Sequence, residues 1–231
     1  MPIYALSDEL IFPPPDWAAP EGILAIGGDL RPERLLLAYQ QGIFPWYSPG
    51  EPIVWWSPDP RFVLMLEELK ISKSMKQVMR SGKFHFTADA DFQGVIQNCK
   101  TAKRRGQGGT WITQEMQQAY IQLHRMGYAH SVEVWQQGQL AGGLYGVSLG
   151  NTFFGESMFT RVSNASKAGF IWLLQQLATK GFEWIDCQVY TAHLQRFGAR
   201  NIPRSRFLKM LEEALTQPTH KGNWGNWLAE E

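Results

Sequence analysis

Apolar and polar positions follow two alternating periods from about residue 61 onwards. Runs such as RFVLML and KFHFTAD predict strands, and SKSMKQVMRSG, DFQGVIQNCK and TWITQEMQQAYIQLHRMG predict helices. Ser72 and Thr113 are suitable N-caps for the first and third of these helices, and Gly127 is a suitable terminator for the third. The segment therefore predicts a domain in which helices and strands are mixed.

The pattern then predicts three consecutive strands, AHSVEVW, QLAGGLYGVSL and TFFGESMF. Gln137-Gly138 and Gly150-Asn151 separate them and are typical of hairpin turns. A helix over residues 165–180 follows, then the strand FEWIDCQV, the helix TAHLQRFG and the short segment ARNIP. We expect an α+β fold with a mixed, mostly antiparallel sheet flanked by helices.

The first sixty residues differ, because proline and glycine interrupt every longer element. One helix is predicted, RPERLLLAYQQG, with Pro32 in its first turn and Gly42 just past its end. Around it we expect a small, loop-rich lobe fastened by aromatic side chains rather than a layer of sheet and helix. The predicted division is residues 1–62 for this N-terminal lobe and 63–231 for the larger domain.

Composition excludes several classes of protein. The chain has 231 residues, which is long enough to form a core without disulfide bonds, and its two cysteines, Cys99 and Cys187, favour a reduced compartment. Its net charge of +1 argues neither for nor against binding of nucleic acid. No leader peptide and no apolar run of about 18 residues is visible, which predicts a soluble, cytoplasmic protein. The five histidines lack the spacing of metal ligands, and no phosphate loop, dinucleotide fingerprint or serine-histidine-acid motif occurs. A hydrolase or a metalloenzyme is disfavoured.

Candidate chemistry concentrates between Gly142 and Tyr190. Because side chains alternate along a strand, Asp186 and Gln188 are expected on one face of FEWIDCQV. Glu156 lies in the preceding hairpin, at FFGESMF. These three polar residues predict a shared site that holds an amide beside carboxylates.

An apolar pocket beside that site is one interpretation of the neighbouring residues, and an ordinary core is the other. Alternation places Phe153 and Met158 on opposite faces of their strand unless a bulge at Gly155 intervenes. The remaining candidates lie on the predicted helix and the middle strand of the hairpins: Phe170, Leu173, Leu177 and Leu144.

Basic and aromatic residues suggest contact with nucleic acid. Helical spacing puts Lys73, Lys76, Arg80 and Lys83 on one face, which is either a solvated surface or a binding site for a phosphate backbone. Lys100, Lys103, Arg104 and Arg105 form a second basic cluster shortly before Trp111. Two tryptophans stand in loop-like contexts, Trp46 and Trp111, where they serve either as a hydrophobic clasp or as stacking platforms for bases.

The order of three strands, a helix and a further strand resembles that of the GNAT superfamily of N-acyltransferases. Coenzyme A in that fold lies on a glycine-rich turn before the helix, where backbone N–H groups meet its pyrophosphate. The corresponding turn here, Thr160 to Lys167, contains no glycine. A coenzyme A-dependent acetyltransferase is therefore one alternative, disfavoured by this turn and testable by retention of coenzyme A.

Several motifs together resemble those of the leucyl/phenylalanyl-tRNA–protein transferase family. The matching runs extend from about Gly22 to Val189: GILAIGGDL, LLLAYQQGIFPWYSPG, IVWWSPDPR, GTWIT, GYAHSVEVW, LAGGLYGV, FFGESMF, NASK and IDCQV. Leu144 stands where a methionine is familiar, and the loop KRRGQGG has no counterpart that we can match.

The resemblance implies a cytoplasmic enzyme with a GNAT-like domain and a small N-terminal lobe. It would transfer leucine, phenylalanine or sometimes methionine from tRNA to proteins with N-terminal lysine or arginine. The product would be an N-terminal degradation signal. The implied partners are leucyl-tRNA, phenylalanyl-tRNA and the acceptor protein, with no membrane, metal or cofactor, and a monomer is expected. Trp46 and Trp111 would hold the 3′ adenosine. The residues implied for the aminoacyl pocket are Leu144, Phe153, Met158, Phe170, Leu173 and Leu177.

For the chemistry, we hypothesise that the Gln188 carbonyl accepts a hydrogen bond from the attacking amine and orients it. Asp186 would polarise the Gln188 amide, and Glu156 would contribute to an acidic environment that selects a basic acceptor. A structural role for Glu156 stays open. A non-catalytic tRNA-binding protein is the second alternative; it predicts binding that does not depend on aminoacylation, and no product.

Overall fold

A computed structural model of the chain describes residues 3–102 and 111–229. Lys103, Arg104 and Arg105 of the second predicted basic cluster lie outside the described residues, as does the rest of the loop KRRGQGG. None of the described helices is both long and apolar enough to cross a membrane.

The N-terminal part forms a four-stranded sheet with one α-helix. Its elements are β1 (Tyr4–Leu6), β2 (Ile23–Gly27), α1 (Pro32–Gln40), β3 (Phe44–Pro45) and β4 (Val54–Trp56), in the sheet order β1-β2-β4-β3. The expectation that this part lacks a sheet is wrong. Its strands have only two to five residues, so loops still make up much of it, and proline restricts the length of each strand without preventing pairing.

The second part of the chain is built on a seven-stranded sheet. Its elements begin with β5 (Arg61–Met65), α2 (Lys73–Arg80), β6 (His85–Ala88), α3 (Phe92–Thr101) and α4 (Gln114–Arg125). They continue with β7 (Ala129–Gln136), β8 (Gln139–Leu149), β9 (Thr152–Thr160), α5 (Ala165–Thr179), β10 (Trp184–Gln188), α6 (Ala192–Gln195), β11 (Arg200–Ile202), α7 (Arg204–Leu215) and α8 (Trp224–Ala229).

The sheet order is β11-β5-β10-β9-β8-β7-β6, and every pairing is antiparallel except that of β9 with β10. The predicted α+β fold with a mixed, mostly antiparallel sheet and flanking helices is confirmed. The predicted caps are also confirmed, since Ser72 Oγ accepts from Met75 N and Thr113 Oγ1 accepts from Met116 N. Helices α7 and α8 were not predicted, although the spacing of Phe207, Leu211 and Ala214 is typical of an amphipathic helix.

Two hydrophobic clusters cover the sheet. One is packed around α1, α3, α4 and α7, and the other around α5 with parts of α2 and α8. Adjacent residues of β9 separate accordingly, because Phe154 belongs to the first cluster and Phe153 to the second. Helix α5 approaches the sheet closely at Gly169, where a Cβ atom would come within 2.6 Å of Val134 Cγ2. This close approach fixes α5 over the strands that carry the candidate site.

Candidate active site

Bulges in two neighbouring strands interrupt the alternation of side chains at the site. In β9, Ser157 pairs with Tyr145 and Gly155 pairs with Gly146, so Glu156 is the extra residue. In β10, Asp186 pairs with Val63 and Gln188 with Phe62, which leaves Cys187 unpaired. A bulge redirects the side chains that follow it, and Phe153 and Met158 consequently line the same cavity. The conditional prediction of a bulge near Gly155 is confirmed.

The parallel strands β9 and β10 pair over only two residue pairs, of which the second is Asp186 with Phe154. Beyond that point a cavity of about 410 Å³ opens between the strands. A volume of this size suits a small-molecule group. The predicted site residues that line the cavity are Trp46, Trp111, Leu144, Phe153, Glu156, Met158, Phe170, Asp186 and Gln188. Leu173 and Leu177 do not line it; both are buried in the hydrophobic cluster behind it.

Gln188 and Glu156 are directly bonded in this cavity. Gln188 Nε2 donates to Glu156 Oε1 at 2.6 Å. When Glu156 is ionised it only accepts hydrogen bonds, so in that state the NH₂ end of the amide faces Glu156. The described residues provide no donor to Gln188 Oε1. The carbonyl end of Gln188 is therefore available to a ligand in the cavity.

Two buried tyrosines hold the other side of Glu156. Tyr39 O–H donates to Oε1 at 2.7 Å, and Tyr120 O–H donates to Oε2 at 3.0 Å. The two hydroxyl groups also contact each other. Burial raises the pKa of each tyrosine well above its ordinary value, so both stay protonated and able to donate. Sequence reasoning missed both tyrosines, which come from α1 and α4.

Burial and hydrogen bonding have opposite effects on the protonation of Glu156. Burial raises the pKa of Glu156 from 4.5 to about 7, although its hydrogen bonds oppose the shift. The hydroxyl groups of Tyr39 and Tyr120 donate to Glu156 and so stabilise its ionised form, whereas burial stabilises the neutral form. Both forms are therefore populated near neutral pH.

Asp186 is engaged elsewhere. Both of its carboxylate oxygens accept from Arg61, at 2.9 Å from Nε and 2.6 Å from Nη2, and Oδ1 also accepts from the backbone N–H of Gln188 at 2.8 Å. Arg61 and Asp186 are both fully buried, and Arg61 Nη1 donates to the carbonyl of Gly42. The hypothesis that Asp186 polarises the Gln188 amide therefore needs a correction, because Glu156 contacts that amide instead. Asp186 contacts the Gln188 backbone, where φ is +63°.

The two candidate tryptophans border the same cavity. Trp46 and Trp111 are both half-buried, and both line the cavity together with Gln188. Trp46 packs against Trp56 with ring centroids 5.8 Å apart, and Trp56 Nε1 donates to the carbonyl of Trp46 at 2.7 Å. This second contact fixes the backbone of Trp46. The position of both rings at a cavity fits a platform for a flat ligand.

The predicted basic face is exposed. Lys73, Lys76 and Arg80 lie on α2, and Lys83 follows in the turn after the helix has ended at Arg80. Lys73, Lys76 and Arg80 border one shallow groove. The ion pairs found among the described residues include none of these four side chains. Their positive charges are therefore available to an anionic partner.

The turn before α5 differs from a pyrophosphate-binding turn. The backbone N–H groups of Arg161 and Val162 both donate to the carbonyl of Ala141, at 2.8 and 3.0 Å. Those two donors are consequently not directed at a ligand. Asn164 takes the left-handed conformation, with φ of +71°, at the start of the helix.

The sheet order defines an α+β protein with a mixed, mostly antiparallel sheet and a cavity beside the short pairing of β9 with β10. One weak structural match is a GCN5-related N-acetyltransferase from Kribbella flavida, with 10% sequence identity and a TM-score of 0.33 over 72% of this chain and 59% of that chain.

Sequence comparisons are far more specific. Residues 63–212 match the family model described as leucyl/phenylalanyl-tRNA protein transferase, and residues 28–59 match the model of its N-terminal domain. A leucyl/phenylalanyl-tRNA–protein transferase of Syntrophus aciditrophicus is 58% identical over 97% of this chain and 94% of its own length. One of Myxococcus xanthus is 55% identical over 97% of both chains. The chain belongs to the leucyl/phenylalanyl-tRNA protein transferase family.

Proposed function

We propose that this chain transfers leucine or phenylalanine, and also methionine, from charged tRNA to the α-amino group of proteins that begin with lysine or arginine. The product is a protein with an N-terminal degradation signal, and the enzyme acts as a cytoplasmic monomer without a metal or cofactor. One observation supports the proposal most strongly: a single cavity is lined by apolar side chains, the Gln188 amide and the two tryptophans.

The apolar part of the cavity suits the side chain of the transferred amino acid. Leu144, Phe153, Met158 and Phe170 line it, and burial of an aliphatic or aromatic side chain against them is favourable at about 25 cal/mol per Å². Leu173 and Leu177 support this wall from the core. Trp46 and Trp111 stack on the 3′ adenosine, and the basic face on α2 binds the tRNA backbone.

An aminoacyl ester is already activated, so the enzyme has mainly to position the amine. The Gln188 carbonyl oxygen accepts a hydrogen bond from the amine and aims its lone pair at the ester carbonyl carbon. Attack forms the C–N bond, and collapse of the tetrahedral intermediate breaks the bond to the ribose oxygen. Glu156 fixes Gln188 for this task by holding its Nε2.

Glu156 is also suited to move the proton. Its pKa of about 7 leaves a large ionised fraction at neutral pH, and general bases work best when their pKa lies near the operating pH. Glu156 takes the proton that the amine loses and gives it to the ribose oxygen of the leaving tRNA, which restores the ionised form of Glu156. While ionised, Glu156 also favours a basic acceptor, because the charge of Asp186 is already balanced by Arg61.

A single-turnover assay tests the function. The protein is mixed with leucyl-tRNA carrying labelled leucine and with a short peptide that begins with arginine, and label on the peptide is measured. The same peptide with an acetylated N-terminus is the control, since it lacks the nucleophile. Label on the free peptide alone is expected. Absence of label on both peptides would overturn the proposed function.

A further inference from the structure

The segment after α7, residues 217–229, is called the C-terminal tail here. The tail returns to the sheet and is held there by two hydrogen bonds. Gly150 N donates to the side-chain oxygen Oγ1 of Thr219 at 2.8 Å, and Gly222 N donates to the carbonyl of Gly127 at 3.3 Å. It therefore occupies a defined position next to the strands of the site.

Trp224 is the most strongly held residue of the tail. Its side chain is fully buried, and its indole stacks on His130 at 3.8 Å between ring centroids, with the planes 7° apart. Its backbone N–H donates to Asp89 Oδ2 at 2.8 Å, and its Nε1 donates to the carbonyl of His220 at 3.0 Å. The position of the ring is thus fixed by both its backbone and its indole.

The carboxylate that holds Trp224 is itself anchored to the sheet. Asp89 is buried, Oδ1 accepts from Ser131 N, and Oδ2 is bonded to His130 Nδ1, each at 2.8 Å. Burial lowers the pKa of His130, which keeps the ring neutral with its proton on the nitrogen that faces Asp89. Asp89 thus connects Trp224 to His130 and Ser131 of β7 and fixes the tail relative to that strand.

Trp224 packs directly against the wall of the cavity. Its indole lies 5.9 Å from the ring of Phe153, with the planes tilted by 40°, and Phe153 lines the apolar part of the cavity. The Phe153 ring also lies against Gly146, where a Cβ atom would come within 2.5 Å of its Cζ atom. Contacts with Gly146 and Trp224 together restrict where the Phe153 ring can be.

We propose that Trp224 is a positioning residue for amino acid specificity: it holds the ring of Phe153 and so sets the depth of the aminoacyl pocket. This inference rests on the proposed function, because it takes the cavity to be the site of the transferred side chain. A shorter side chain at position 224 leaves space behind Phe153, and the ring moves back. The pocket then becomes deeper and favours phenylalanine over leucine.

The test compares Trp224→Phe with the matched control Trp227→Phe. Trp227 belongs to the same helix and packs on Trp224 and Phe182 rather than on Phe153. For each variant, kcat/KM is measured with phenylalanyl-tRNA and leucyl-tRNA and one Arg-starting peptide, and thermal unfolding is followed. Trp224→Phe is expected to shift the ratio towards phenylalanine by at least about threefold, since small changes in pocket shape have effects of this order or more. The KM of the peptide stays constant.

An unchanged ratio in Trp224→Phe, or an equal shift in Trp227→Phe, would overturn the inference. If Trp224→Phe does not fold, Trp224→Met is measured in the same way, because methionine fills irregular spaces. The double variant with Phe153→Leu adds a second requirement, since loss of the Phe153 ring must abolish the effect of Trp224→Phe on the ratio. Wild-type protein is run in parallel; failure of the wild type to transfer either amino acid contradicts the proposed function itself.

Discussion

Gln188 Nε2 donates a 2.6 Å hydrogen bond to Glu156 Oε1, and this bond turns the carbonyl oxygen of Gln188 towards the cavity. The two residues come from neighbouring strands, and each lies at a bulge. A relationship of this kind makes Glu156 the group that orients Gln188. Asp186 instead accepts a hydrogen bond from the backbone N–H of Gln188.

Replacement of Gln188 by alanine removes the group proposed to aim the amine. We expect turnover to fall on the order of 100-fold, as misplacement of a reacting group by about 1 Å does elsewhere, while the KM of charged tRNA changes little. Gln195→Ala is the matched control, because Gln195 is exposed and bonded to Tyr190 rather than to Glu156. Single-turnover rates measure the effect, and equal rates for wild type and Gln188→Ala would contradict the proposed role.

The pKa of Glu156, raised by burial to about 7, predicts how activity depends on pH. The ionised form accepts the proton, so kcat/KM rises as pH increases through about 7. The peptide α-amine has an ordinary pKa near 8 and must also lose a proton. Below both values, log kcat/KM of the wild type should therefore rise with a slope of about two.

In Glu156→Gln, only the titration of the amine remains. The slope should then fall to about one, together with a lower plateau at high pH. Rates are measured from about pH 5.5 to 9 with one peptide. A slope that is the same in the variant and the wild type would show that Glu156 is not the titrating group.

The buried pair of Arg61 and Asp186 predicts a large effect on stability. Asp186→Ala leaves Arg61 buried without a counter-charge, which typically costs about 3–5 kcal/mol. Glu68→Ala breaks a comparable pair with Arg200 that is about two-fifths exposed, with side-chain exposures of 42% and 39%, and should cost at most about 1 kcal/mol. Urea unfolding measures both. Equal, small losses in the free energy of unfolding would mean that the fold does not need the Arg61–Asp186 pair. Any loss of activity in Asp186→Ala would then reflect a role of Asp186 in catalysis rather than in folding.

The basic face predicts a contribution specific to tRNA. Replacement of Lys73 and Lys76 by alanine should raise the KM of phenylalanyl-tRNA and lower the slope of log affinity against log salt by about one per residue. Lys209→Ala is the control, because Lys209 is exposed on α7. Transfer from a short aminoacyl-adenosine donor, which has no tRNA backbone, should not change. An equal loss of transfer activity with both donors would show that these lysines do not act by binding the tRNA backbone.

Local features of the fold could be predicted because each depends on a few adjacent residues. The cap at Ser72 and the turn at Gln137-Gly138 follow from short-range chemistry, and Gln137 and Gly138 both have positive φ. The N-terminal sheet was missed because strands of two to five residues leave too short a pattern. Helix α7 was missed although its apolar spacing is visible in the sequence. The division into residues 1–62 and 63–231 stays a prediction.

Site residues could be predicted individually, but their contacts could not. Strand alternation suggested that Asp186 and Gln188 share a face, and no local signal indicates the bulge that redirects Gln188. Arg61 lies 125 positions from Asp186, and Tyr39 is 117 positions from Glu156. Partners at such distances are determined by the packing of the whole sheet, and no local pattern in the sequence indicates them.

The central claim is that the cavity beside Gln188 holds the side chain of the transferred amino acid. Leu144 lines this cavity and is nearly fully buried, so Leu144→Phe places an additional ring in the space of about 410 Å³. Transfer of phenylalanine and of leucine from charged tRNA to one Arg-starting peptide measures the consequence. We predict that phenylalanine transfer falls at least about tenfold more than leucine transfer, while tRNA binding is unchanged. Equal transfer of both amino acids at the wild-type rate would contradict the claim.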